Sequence, residues 1–484
     1  YNEYIQGWYI HIRKGEGRTM STQTELTKTN SYIDPSQINL KQLALPILTE
    51  SILRSTVGMV NVAFLSRISD GMVSAVSVSN QYITICQMLA TAVATGTIVC
   101  INQAIGMHNN QKMNRMATVA VGANLVLGLL FGMLFFFFSN SFLSIMNLGA
   151  QSIEAANTYM RIAGSTMVIQ CVEIVVSNIC RSMGKTKAPL MINLLANGVN
   201  LLGCYFVVFQ PLPILVSPVV GVAWISVFSR TASLCLALYI VSRTTVRIRL
   251  SEFRPFPKAE LKLALSIGIP GGLNNLAYSA SQLVTTALIS QTGAIMVATK
   301  VYVTNLVQYV ALVGMACAHA ATIMIGYRVG AGQYDEACKI RTHVTRIALI
   351  SNVCFSLLLM TVRVPLLKLF IQDEAIIGIA SVIMLIDVFV EIGRALNNTV
   401  SGSLQAAGDV TYQLIVNQAS SWLISVGGAY LLGIVLGWGL YGVWIAFALD
   451  EIIRGTILLL RWRSGKWIQG AELRRHIIAN DVHA

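Results

Sequence analysis

The chain has 484 residues, 55% of them hydrophobic and 11% charged. A soluble globular protein carries about 25% charged residues, so a water-soluble body is excluded, and long apolar runs predict an all-α polytopic membrane protein. A β-barrel would show short alternating segments instead. The formal net charge of +13 would suggest nucleic acid in a soluble protein. Here the Lys and Arg cluster between apolar runs, as the positive-inside rule demands, so no nucleic-acid partner is expected.

Residues 1–41 form a polar, partly basic tail (Arg13, Lys14, Arg18, Lys28, Lys41). The chain begins at Tyr1, with Met20 the expected start. The mostly polar first forty residues predict no cleavable signal peptide. Six spans are predicted at about 42–66, 73–101, 117–138, 157–181, 188–209 and 218–242. The basic segment SRTTVRIRLSEFRPFPKAELK (242–262) separates them from six more, at about 264–290, 296–325, 343–363, 376–405, 412–436 and 439–461. The expected organisation is a tail (1–41), an N-lobe (42–242), a cytoplasmic linker (243–263), a C-lobe (264–463) and a basic cytoplasmic tail (464–484).

Lys and Arg mark the two sides. The even-numbered loops hold Lys112, Arg115, Arg181, Lys185 and Lys187, six residues from Arg243 to Lys262, then Arg328, Lys339, Arg341 and Arg346. The odd-numbered loops hold little beyond Arg67, Arg363 and Lys368. Both termini are therefore expected in the cytoplasm of a cell with a bacterial-type plasma membrane. The nine cysteines are scattered singly, without CxxC or metal-ligand spacing, and read as small core residues.

The halves repeat. Pro46 and Pro270, Gly106 and Gly330, Gly184 and Gly408, and Asn193 and Asn417 are each 224 residues apart. Six helices per half is an even number, so the repeat is parallel, with its pseudo-two-fold axis along the membrane normal. The prediction is two six-helix lobes facing a cleft that rocking exposes to each side in turn.

The tenth span carries the densest polar pattern: Asp387, Glu391, Arg394, Asn398, Ser401 and Gln405 follow at steps of three or four and stack into one helical stripe. A charge at mid-bilayer costs at least ~2.5–3.5 kcal/mol, so such groups face a bundle interior or wet cavity and mark an ion or substrate path. Two carboxylates against one guanidinium leave one excess negative charge, a candidate for proton uptake and release. A buried ion pair that only fixes packing is the competing reading. The first span carries Glu50 and Arg54 at i,i+4, able to pair or to snorkel. The fifth span carries Asn193, Asn197, Asn200 and Cys204, suited to cation ligation or to interhelical hydrogen bonds. Glu173 is a lone acid on the fourth span. Lys300 heads a stripe with Thr304 and Gln308; deep in a span it would need Asp387 or Glu391 as partner, and near the span's start it could snorkel. His319 could titrate or pack.

The chain resembles the multidrug and toxic compound extrusion (MATE) transporters over about residues 40–465. The matching pieces are Pro46 with GMVNVAFLSR downstream, AVSVSNQ (75–81), CRSMGKTKAPLMIN (180–193), TKVY (299–302), VGAGQYDEA (329–337) and EIGRALN…SLQAAGDV (391–410). The last looks like a bacterial branch with an E-x-G-R-x-x-N signature. The resemblance implies an exporter driven by H⁺ or Na⁺, usually moving organic cations, with a first helix that bends at its proline. This sequence departs from the family at Asn61, where Asp is common, at Cys204, four residues after the matching Asn200, and at Tyr278 and Arg394, where some members carry acids. The expected cation-coupling residues are therefore Asp387, Glu391 and Arg394, supported by Glu50, Asn61 and Asn200. The expected cleft residues are Arg54, Glu173, Asn197, Tyr278, Lys300 and Asn398.

The expectation is a monomeric antiporter in the lipid bilayer, exporting a small molecule against H⁺, ahead of Na⁺, with no cofactor. A lipid-linked oligosaccharide flippase of the same superfamily is the alternative, kept open by Arg54, Lys300 and Arg394. No GxxxxGK[ST] occurs, so ATP is not the direct driver, and no nucleophile–base or metal constellation suggests an enzyme.

Overall fold

The computed structural model describes residues 38–66, 70–145, 150–209, 217–249, 257–368 and 371–480. The first half contains α1 (Leu40–Ser66), α2 (Asp70–Gly106), α3 (Asn110–Ser144) and α4 (Ala150–Tyr159). The chain then passes through a π-helical turn, Met160–Gly164, into α5 (Met167–Ser182), α6 (Lys187–Phe209) and α7 (Pro218–Ser242). The second half contains α8 (Lys258–Ser290), α9 (Ala294–Gly330), α10 (Tyr334–Thr361), the short α11 (Arg363–Lys368) and α12 (Glu374–Ala407). Next, α13 (Val410–Ser420) continues through π-helical stretches, Ser421–Val426 and Ala429–Val435, to α14 (Gly439–Arg463) and α15 (Lys466–Asn480).

Among the described residues, eight helices are each long and apolar enough to cross a membrane, and α4 with α5, bent by 49°, makes a ninth. The twelve predicted spans are completed by α1, α8 and α14, of 27, 33 and 25 residues. At ~1.5 Å per residue each exceeds a ~30 Å hydrocarbon core. Their polar residues build the buried clusters and cavity wall described below. The predicted basic C-terminal tail is instead largely the helix α15. Its Trp467, Ala471 and Ile478 are buried, and Trp467 stacks on Trp462 with ring centroids 4.2 Å apart. Burying that apolar face against α12 and α14 is what a solvated tail would forgo.

The 224-residue repeat holds at helix ends. α2 runs 70–106 and α9 runs 294–330, so both ends shift by 224; Ser66 closing α1 and Ser290 closing α8 shift equally. Gly184 and Gly408, just past α5 and α12, both take left-handed backbone (φ 69° and 81°). Pro46 and Pro270 lie inside α1 and α8, each removing one helical hydrogen bond at matching depth.

Each half has its own apolar core. Phe135, Met160, Met167 and Cys171 anchor the first, and Ile383, Met384, Leu440 and Trp444 the second. Phe135 is 2% exposed and packs against Gly164, whereas Phe136 to Phe138 are exposed, as a four-residue aromatic run circling one lipid-facing helix must be.

The lobes meet where α2 packs on α8 and α9, and α1 on α9. A Cβ on Gly106 would lie 2.0 Å from the Tyr327 carbonyl oxygen, and one on Gly330 2.1 Å from that of Gln103. No side chain fits at either place. Nearby, Gln103 Nε2 donates to the Ala406 carbonyl at 2.8 Å and the Tyr327 hydroxyl donates to the Ser182 carbonyl. Residues 103 and 327, and 182 and 406, again differ by 224, so the two bonds are pseudo-symmetric. Glu260 of α8 adds ion pairs to Lys112 (3.1 Å) and Arg115 (2.9 Å) of α3. The lobes are clasped at this end.

Candidate functional site

Beyond the clasp, a cavity of about 690 Å³ is walled by α8, α9, α12, α13 and α14, with Thr91 and Thr95 of α2. That volume suits a drug-sized ligand. The α12 stripe supplies Asp387, Arg394, Asn398, Ser401 and Gln405 to its wall. The periodicity of the stripe is why they share one face. Glu391 belongs to the stripe but lies behind the wall, fully buried, where Asn352 Nδ2 of α10 donates to its Oε2 at 3.0 Å.

The charges form one network across two helices. Arg394 Nη1 pairs with Glu391 Oε1 on its own helix, and its Nε lies 3.8 Å from Glu451 Oε1 of α14. Arg454 Nη2 pairs with Glu451 Oε1 at 2.8 Å and with Asp450 Oδ2 at 3.1 Å. Asn397 Nδ2 donates to Glu451 Oε2 at 2.8 Å, the Ser420 hydroxyl donates to Asp450, and Trp444 Nε1 donates to Asp387 Oδ1 at 3.0 Å. Gly393 makes this reach possible. A Cβ there would meet the Cβ of Glu451 and the backbone N of Ile452, both at 2.8 Å, so α12 and α14 approach as only glycine allows. The network holds four carboxylates and two guanidiniums, all but Arg394 nearly inaccessible. Among the described residues, Asp387 is the one of these acids without a basic partner at ion-pair distance.

Asp450, Glu451 and Arg454 are site residues that the sequence reading missed. The signal was present, as three ionisable groups at i, i+1 and i+4 within an apolar span, the pattern that singled out Asp387. Lys300 is on the cavity wall, as are Tyr278 and Asn398. Its Nζ is held by Thr286 Oγ1 of α8 at 2.6 Å, and no carboxylate is its ion-pair partner among the described residues.

The other expected residues lie in the first half, away from this wall. Glu50 is 3% exposed and takes Arg181 on both oxygens, at 2.8 and 3.0 Å, and Arg54 at 3.1 Å. Asn193 Nδ2 donates to the same carboxylate at 3.0 Å. Glu173 accepts from Ser177 at 3.0 Å. Asn197 and Asn200 are half-buried on α6, and Cys204 Sγ lies 3.9 Å from Asn200 Oδ1. The side chain of Asn61 falls outside the described residues.

The chain matches the MatE family twice, over residues 46–206 and 270–431, one copy per half. It is 33% identical over 432 residues to the uncharacterized transporter YisQ of Bacillus subtilis, covering 89% of this chain and 95% of that one. It is 25% identical to a probable multidrug resistance protein NorM of Thermotoga maritima, covering 90% of this chain and 94% of the relative. In fold it is similar to a solved multidrug resistance MATE family transporter in an outward-facing conformation, with a TM-score of 0.83, 19% identity, and 92% of this chain and 99% of that one covered. The chain belongs to the MatE family of membrane transporters.

Proposed function

We propose that the protein is a secondary antiporter that exports small organic, cationic or amphipathic compounds in exchange for H⁺, ahead of Na⁺, across the plasma membrane. The observation carrying this reading is the cluster of four carboxylates and two guanidiniums at the wall of a drug-sized cavity in the second lobe, beyond the clasp. Excess buried negative charge in a low dielectric needs a positive counter-charge. A proton and a cationic compound can supply it alternately, and that exclusion is antiport. Each ligand shifts the lobes only by its differential affinity for their two arrangements. The clasped end bears the Lys- and Arg-rich loops, so in this arrangement the cytoplasmic side is closed. The names of the NorM relatives support a multidrug substrate range.

The test is uptake of a fluorescent organic cation into inverted vesicles under an imposed H⁺ or Na⁺ gradient. Uptake driven by H⁺ alone is expected. Uptake driven by Na⁺ alone would overturn the proton reading, and none under either would overturn cation export.

A further inference from the structure

The 224-residue offset carries the Glu50 cluster of the first half onto four residues of the second. Glu50 falls on Asn274, Arg54 on Tyr278, Arg181 on Gln405 and Asn193 on Asn417. In the first half the four close on one another. Both guanidiniums reach the Glu50 carboxylate, Asn193 donates to it, and Arg54 Nη2 donates to Asn193 Oδ1 at 3.4 Å. In the second half both guanidiniums are gone and the carboxylate has become an amide. Among the described residues no bond joins the four to one another, and all four line the cavity. Asn274 Oδ1 accepts from Gln418 at 3.1 Å. Asn417 is 5% exposed, and its Oδ1 has no hydrogen-bond partner.

A buried carbonyl left unpaired costs on the order of 1–3 kcal/mol. Asn417 lines the cavity while this oxygen is closed to solvent, so a turn of the amide would bring it to a group that arrives from outside and offset that cost. The first half shows what chemistry this backbone frame accommodates, namely N–H donors of guanidinium type directed at the amide and its neighbour. The flanking Asp450 and Glu451, also on the wall, favour a donor that carries positive charge.

We propose that Asn274, Tyr278, Gln405 and Asn417 form a subsite for an N–H-bearing cationic group (amine, amidine or guanidinium) of the transported compound. This rests on reading the cavity as the substrate path.

The experiment measures equilibrium binding to the purified full chain in lipid nanodiscs, with two cationic probes. Ethidium carries amino N–H groups; tetraphenylphosphonium carries none. Wild type should bind both. Asn417→Leu should bind ethidium about tenfold more weakly, with tetraphenylphosphonium within about twofold, and Asn417→Asp, which keeps an acceptor, should restore ethidium. Equal losses for both probes, or no loss, would overturn the subsite while leaving the cavity reading intact. Wild type binding neither probe would bring down the cavity reading and the subsite with it. If Asn417→Leu does not fold, Asn274→Glu with Gln405→Arg rebuilds the first half's ion pair inside the recess and should exclude ethidium; undiminished ethidium binding there would also overturn the proposal.

Discussion

The two lobes carry buried charge on one helical frame and use it differently. Around Glu50, one carboxylate meets two guanidiniums and an amide, and the cluster closes on itself. Around Glu451, three carboxylates share two guanidiniums, Asp387 stands by without a basic partner among the described residues, and the cluster borders an open cavity. A cluster whose one carboxylate is already engaged by two guanidiniums and an amide stabilises a lobe and has no surplus negative charge to offer an arriving cation. A cluster with surplus negative charge can hold an arriving cation or proton. The comparison teaches that a repeat conserves helix ends and crossings while the polar residues at matched positions are free to diverge.

The largest effect should come from breaking either cluster at its centre. Glu50→Ala leaves Arg181 without its carboxylate, and Glu451→Ala removes the carboxylate shared by Arg454 and Arg394, leaving Asp450 to the first and Glu391 to the second. Removing one partner of a buried pair costs about 3–5 kcal/mol. Thermal unfolding in detergent should show comparable losses for both variants. H⁺-driven uptake per folded molecule should survive in Glu50→Ala and vanish in Glu451→Ala. Loss of uptake in a well-folded Glu50→Ala protein would erase the division of labour between the lobes.

Glu391→Gln should cost less stability, because the amide can still meet Asn352 and Arg394 retains Glu451. Gradient-driven uptake should nonetheless be abolished; wild-type rates would remove Glu391 from the coupling. Gly393→Ala should follow, at about 1–3 kcal/mol, since a methyl must push α12 off the α14 backbone. It should lower uptake by separating Arg394 from Glu451, and unaltered unfolding would show that the helices have room.

The smallest effects sharpen the symmetry itself. Tyr327→Phe and Gln103→Leu each delete one of the paired inter-lobe hydrogen bonds, worth ~1 kcal/mol. Each should shift the lobe populations about fivefold toward opening at the clasped end. Spin-label distance distributions across that end would measure the shift. Unequal responses would mean that one bond carries the clasp.

Much of this architecture was legible in the chain itself. Apolar run length and sparse charge determine twelve membrane-length helices, because an unpaired backbone group in lipid forces helix formation. Four pairs of Pro, Gly and Asn markers at one offset disclose the two lobes. The α12 stripe could be read because side chains at three- and four-residue steps must share a face. What the sequence left open was decided by contacts between helices. Nothing local to α14 says that Glu451 sits between two arginines, since that depends on Gly393 letting α12 and α14 touch. Nothing local to Glu50 says that its carboxylate is closed off by Arg181, 131 residues away. Nor does Asn417 by itself disclose an unpaired carbonyl on a cavity wall. Helical periodicity is a property of one element, whereas charge balance, clasp and vacancy are properties of pairs, and only the packed lobes determine which pairs exist.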